Sequence, residues 1–158
     1  MKSGVFRRNP ASRSRGFTLI ELIVATAILV ILTGLAVPMA RVAIKREKER
    51  ELRHDLWQLR DAIDRYKDAA DRQAFQSKVG TEGYPPDLET LVTGVDVGGK
   101  KVRFLRKIPT DPMTNNTDWG LRSMQDDPTS DSWGGQNVFD VFTKARGTAL
   151  DGTEYKDW

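Results

Sequence analysis

From Phe17 to Val37 the chain runs through 21 residues with a single charge, Glu21. As a helix rising roughly 1.5 Å per residue, such a run is about 30 Å long, the thickness of a bilayer's hydrocarbon core. Leu, Ile, Val and Ala fill it, and Thr18, Thr26 and Thr33 are able to bond back to carbonyls of the same helix. Only Glu21 opposes burial in lipid. A secretory signal peptide is the ordinary competitor, with a basic start, an apolar middle and Ala36 near a cleavage point. Its apolar region is shorter, however, and a carboxylate just inside it is unusual.

The length of 158 residues predicts one folded domain. Without cysteine there is no disulfide, thiolate metal site or cysteine nucleophile. The isoelectric point near 9.3 suggests a nucleic-acid partner until the charges are located. Lys2, Arg7, Arg8, Arg13 and Arg15 precede Gly16 with no acid among them, so removing residues 1–16 takes the net charge from +3 to −2. The basic character belongs to a leader, and no nucleic acid is expected as a partner. Arg41, Lys45, Arg46, Lys48 and Arg50 on the far side match the five leader cations, so charge alone leaves the orientation open.

An ionised carboxylate at mid-membrane depth costs roughly 2.5–3.5 kcal/mol on insertion scales, and less near the interface. Glu21 therefore needs a partner. Cleavage after Gly16 creates an α-amino group at Phe17, one helical turn before Glu21. Gly16-Phe17-Thr18-Leu19-Ile20-Glu21, behind a short basic leader, resembles the prepilin-peptidase site of type IV pilins and pseudopilins. Pro38 is similar to that family's helix-kinking proline. The resemblance implies that a prepilin peptidase removes residues 1–16 and methylates the Phe17 amine. It further implies that the N-terminus is cytoplasmic and that Glu21 of one subunit neutralises the Phe17 amine of its neighbour in a fibre. An ordinary single-span anchor leaves the Gly-Phe junction unexplained.

Beyond Pro38 the sequence is highly charged but holds good helix formers, and the helix is expected to continue. Leu52, Leu56, Leu59, Ile63, Tyr66 and Ala70 recur in steps of four and three, one stripe that a packed sheet is expected to cover, a coiled coil being the alternative. His54 beside it reads as a solvated surface residue. The helical signal fades near Ser77, the segment from Val79 to Gly94 reads as a rigid non-sheet loop, and Asp87–Val92 suits a short helix. From Asp118 onward, β-compatible stretches alternate with polar turns, predicting a small antiparallel sheet. Within 138–143 the alternation selects Phe139 and Val141 to pack on the helical stripe, and Asp140 needs a polar neighbour or exposure. The expected fold class is α+β: a long N-terminal helix, half membrane span and half amphipathic, packed against a small antiparallel sheet, with the lollipop form of pilins.

The "GYPPDLETLV" and "FLRKIPTDP" segments resemble the major, G-type pseudopilin of type II secretion systems. That likeness implies a leader at 1–16, a transmembrane and polymerisation helix at 17–38 and a periplasmic globular domain at 39–158. Implied with it are assembly into a periplasmic pseudopilus and, as partners, further copies of the chain, minor pseudopilins, the prepilin peptidase and the inner-membrane assembly platform. A type IV pilus subunit for attachment, motility or DNA uptake is the alternative. Many such pilins carry a C-terminal disulfide that a cysteine-free chain cannot form. The family's major pseudopilins bind calcium in a C-terminal loop, and Asp151 and Asp157, or Asp126, Asp127 and Asp131, are the candidate ligands here. Lys144 and Arg146 depart from that pattern, and Asp-rich turns form without metal. Trp119, Trp133, Tyr155 and Trp158 are expected to cap the core or a subunit contact. No phosphate-cradling glycine loop, histidine-rich metal site or nucleophile elbow is present, so no enzymatic activity is expected.

Overall fold

The structure, a computed structural model, describes residues 16–158; the leader cations named above, from Lys2 to Arg15, lie outside the described residues. Helix α1 runs from Leu19 to Asp71 and includes Pro38, whose missing N–H leaves the Gly34 carbonyl without its usual intrahelical donor. Contacts divide the chain into two units between Arg41 and Val42.

In the first unit α1 exposes its apolar residues: Leu19, Ile20, Leu22, Ile23, Val24, Ile28, Leu29, Val30, Ile31, Leu32, Val37 and Met39 are all exposed. The Thr26 hydroxyl donates to the Leu22 and Ile23 carbonyls (both 2.9 Å), and that of Thr33 to Leu29 (2.7 Å). These hydroxyls are satisfied within the helix, as an apolar environment demands.

In the second unit the stripe behaves as its spacing predicts. Leu52, Leu56, Leu59, Ile63 and Tyr66 are all buried, joined by Ala62, while Ala70 is only half-buried. The cover is more mixed than a sheet. Leu88 and Leu91 come from α2 (Leu88–Thr93), Phe104 and Leu105 from the loop after it, Val138 and Val141 from the last strand region, and Tyr155 from a terminal 3-10 turn. Asp87 caps α2, accepting from the Thr90 N–H at 2.7 Å. At its other end Gly94, with φ +79°, lies where a Cβ would meet the Val102 carbonyl oxygen at 2.4 Å, so only glycine fits.

The strands form two separate antiparallel pairs rather than one sheet. β1 (Val95–Val97) and β2 (Lys100–Val102) make a hairpin through Gly98 and Gly99, both at positive φ, in a segment where sequence reading placed no strand. β3 (Gly120–Arg122) pairs with β4 (Asp140–Phe142), with Gly120 opposite Phe142. A Cβ at Gly120 would strike that phenyl ring at 2.4 Å. The helix also ends earlier than expected, at Asp71. Gln73 turns to φ +55°, while the N–H groups of Gln73 and Ala74 close on the Ala70 and Ala69 carbonyls in a Schellman pattern.

The Phe139 assignment is corrected. Phe139 is exposed and sets its ring edge-on to Tyr84 (5.2 Å), whereas Val138, Val141, Phe142 and Thr143 are all buried. Strict alternation fails because the successive residues Val141, Phe142 and Thr143 are all buried, so both faces are covered here, and Val138 precedes the strand, its N–H donating to the Pro85 carbonyl.

Polar clamps fix this cover to α1. Arg60 donates to Asp140 Oδ1 (2.7 Å) and to the main-chain oxygens of Val141 (3.1 Å) and Trp158 (2.8 Å), giving Asp140 the polar neighbour it needs. Buried Glu49 accepts from the Leu150 N–H and the Tyr155 hydroxyl, each at 2.9 Å. The aspartate of the "PTDP" segment, Asp111, is fully buried; it accepts from the Met113 N–H (2.7 Å) and from the Thr143 hydroxyl, while the Trp119 indole donates to Pro109 O.

Two tests follow from this packing. Truncating fully buried Leu59 to alanine is expected to lower unfolding stability by about 2–5 kcal/mol in a denaturant titration. Burial, reinforced by the bond to Glu49, pushes the Tyr155 hydroxyl up to about 12 from 10.0. A pKa raised by folding contributes stability that is complete below the unfolded value and lost as pH rises through the folded one. Alkaline titration should therefore weaken the parent between pH 10 and about 12, and Tyr155→Phe should flatten that loss.

Candidate functional site

Gly16, Phe17 and Thr18 lie outside α1 and are exposed, so the Gly16–Phe17 peptide bond sits in irregular backbone just ahead of the helix. Gly16 is surrounded by open space and does not adopt the left-handed conformation. Local geometry thus gives no steric or conformational reason for a glycine at this position.

Thr18 begins the helix. Its Oγ1 accepts from the Glu21 N–H at 3.3 Å, and its carbonyl accepts from the Leu22 N–H at 3.1 Å. Thr18 is the N-cap and Glu21 the third helical position, the T-x-x-E spacing of a capping box. Sequence reading passed over Thr18 in this role, although the spacing was visible. Glu21 thereby gains a local reason to be where it is: a carboxylate in the first turn faces the positive end of the helix dipole.

The surroundings of Glu21 are otherwise apolar. Phe17, Ile20, Glu21, Val24, Ala25 and Ile28 line one shallow groove of about 410 Å³ along one face of the helix. Phe17 is 78% exposed and Ile20 65%. An apolar helix exposed on all sides requires lipid or other apolar chains around it, and α1 is long and apolar enough to cross a membrane, with mean hydropathy 2.5 over its best 18-residue window. Among the described residues Glu21 makes no ion pair. Pro38 lies within α1, seventeen positions beyond Glu21, and the helix continues through it.

The candidate calcium ligands are occupied as turn formers. Asp126 Oδ2 accepts from the Ser123 (2.7 Å) and Gly134 (3.0 Å) N–H groups, which hold its carboxyl below the usual range. Asp127 and Asp151 are lowered in the same way, chiefly by the hydroxyls and then by the N–H groups of Thr129 and Thr153. Asp151 also receives Arg53 at 2.9 Å. Asp131 is exposed, and Asp157 closes the 3-10 turn Tyr155–Asp157. Among the described residues no three His, Cys, Asp or Glu side chains converge as metal ligands.

The aromatic residues serve packing. Trp119 and Tyr155 are core residues, Trp158 sits edge-on to Tyr155 beneath the Arg53 guanidinium (4.1 Å), and Trp133 donates to Asn137 O from an exposed loop. His54 is exposed and stacks on Trp57.

Residues 11–37 match the family model described as the prokaryotic N-terminal methylation motif. No curated protein and no solved structure matches the chain. The matched segment contains Gly16, Phe17, Thr18 and Glu21 and most of the exposed apolar helix, which fits a single-pass membrane anchor. The chain thus carries the prepilin signal of type IV pilin-like proteins at its N-terminus, and that motif supports a pilin-like, structural subunit.

Proposed function

We propose that this chain is the major subunit of a periplasmic pseudopilus that drives protein export by type II secretion. A prepilin peptidase cuts between Gly16 and Phe17 and methylates the new amine. The N-terminus is then cytoplasmic, α1 crosses the inner membrane and the domain beyond Met39 is periplasmic. Subunits leave the bilayer for a helical fibre, with minor pseudopilins and the inner-membrane assembly platform as further partners.

The observation that carries this reading is the conjunction at residues 16–21: an exposed Gly16–Phe17 bond, a helix capped immediately after it, and Glu21 as the one charge in an apolar stretch whose described large side chains are exposed. In lipid or in an apolar fibre core an unpaired carboxylate is costly, and the amine released at Phe17 of a neighbour is the complementary charge. Pairing the two also sets the register between subunits. The "GYPPDLETLV" and "PTDP" segments favour a pseudopilus over a surface pilus through their likeness to the G-type subunits.

Gly16→Val is expected to leave the fold intact, since its surroundings are open, and to block processing. Intact mass spectrometry of the membrane fraction would then show the leader retained. Glu21→Ala should be processed and methylated normally yet be missing from sheared or pelleted fibres; normal incorporation would remove Glu21 from assembly. Deleting the gene should leave specific proteins in the periplasm that complementation returns to the medium. Unchanged secretion together with lost surface fibres would assign the chain to a pilus instead.

A further inference from the structure

Cleavage of the leader leaves a chain of net charge −2, yet Lys100, Lys101, Arg103, Arg106 and Lys107 crowd into eight residues without an acid. The rest of the cleaved chain carries −7. All five cations are exposed, and among the described residues none makes an ion pair. Lysines on an edge strand such as β2 discourage edge-to-edge pairing, which accounts for Lys100 and Lys101. Arg103 and Arg106 lie past the strand and need another explanation.

They border a groove of about 390 Å³ with Gln58 and Arg65 of α1 and a floor of Phe104 and Leu105. The groove is fixed rather than adaptable. The Phe104 and Leu105 N–H groups both donate to the Leu91 carbonyl (3.0 Å), and Arg65 is held by Asp61 (2.9 Å) and by the Phe104 carbonyl (2.8 Å). On different elements, between β3 and β4, the 126–131 turn presents Asp126, Asp127 and Asp131, none of which is ion-paired among the described residues. Hydrogen bonds from the Gly134 and Ser123 N–H groups lower the Asp126 carboxyl, and those from the Thr129 hydroxyl and N–H lower Asp127.

We propose that the Arg65–Arg103–Arg106 groove receives the acidic 126–131 turn of a second copy of this chain. The inference rests on the fibre reading and names a contact outside the membrane helix that holds the fibre together. Two copies cannot meet groove to groove, because that sets five cations against five. The groove of one copy meets the turn of the next, and where that contact is not reciprocated it is heterologous and propagates into an open helical filament unless its rotation closes a ring. A nucleic acid is the less favoured occupant: the one aromatic ring in the strip, Phe104, is buried and offers no stacking surface, and the surrounding surface repels a polyanion.

The experiment uses the full-length chain in cells that process it. Arg103→Glu with Arg106→Glu should reduce pelleted fibre by about tenfold or more through like-charge repulsion, with leader removal unchanged. Co-producing a copy carrying Asp127→Lys and Asp131→Lys should restore it. Because the chain lacks cysteine, co-produced Arg106→Cys and Asp131→Cys copies should also give an oxidised dimer in fibres that neither copy gives alone. Full assembly of the charge-reversed chain, or fibres without that cross-link, would overturn the contact and leave the fibre reading standing. Failure of the parent to form any fibre overturns both. Binding of duplex DNA by the detergent-solubilised parent, lost on charge reversal while fibres persist, would give the groove to a nucleic acid instead.

Discussion

Burial of one helical row organises the globular unit. Leu52, Leu56, Leu59, Ile63 and Tyr66 project from successive turns of α1 into a single cluster, and almost every other element is placed by what it lays on that row. No covering element is large: a six-residue helix, two pairs of three-residue strands and a 3-10 turn. Isolated hairpins of that size are marginal in water, so their order comes from the helix beneath them. Arg60 and Glu49 extend the same logic to polar groups, since each reaches from α1 to a distant stretch of chain and satisfies main-chain atoms there. Breaking such a contact leaves buried polar atoms unpaired as well as loosening a strand.

The first unit obeys the opposite rule. Its described large apolar side chains are exposed, and the hydroxyls of Thr26 and Thr33 turn inward to helix carbonyls. One continuous helix thus displays an all-round apolar surface in one stretch and a single apolar stripe in the other, which is how a sequence specifies lipid or fibre contact in the first and a water-facing domain in the second.

Much of this was legible beforehand, for identifiable reasons. The stripe, the short helix near Asp87–Val92 and the need of Asp140 for a polar partner follow from periodicity, from turn punctuation and from the cost of burying charge, and local spacing carries them. Phe139 was misplaced because strand alternation assumes one buried face, and the short pair around Val141 has two. The β1–β2 hairpin escaped notice because its strands, "VDV" and "KKV", hold too few apolar residues to show a period, leaving Gly98-Gly99 as the only cue. At the N-terminus the motif over residues 11–37 was legible from the Gly-Phe junction and Glu21, while Thr18 was credited only with helix back-bonding and not with capping the helix that has Glu21 as its third residue.

That cap has a consequence for timing. Because α1 opens at Thr18, the bond between Gly16 and Phe17 is already in the irregular backbone a protease cleft accepts, and cutting it removes no helical hydrogen bond. Susceptibility to cleavage is thereby uncoupled from the stability of the helix. On the processing proposed above, the helix can be rigid without becoming a poorer substrate, and residues 1–16 would carry away enough positive charge to reverse the sign of the whole protein.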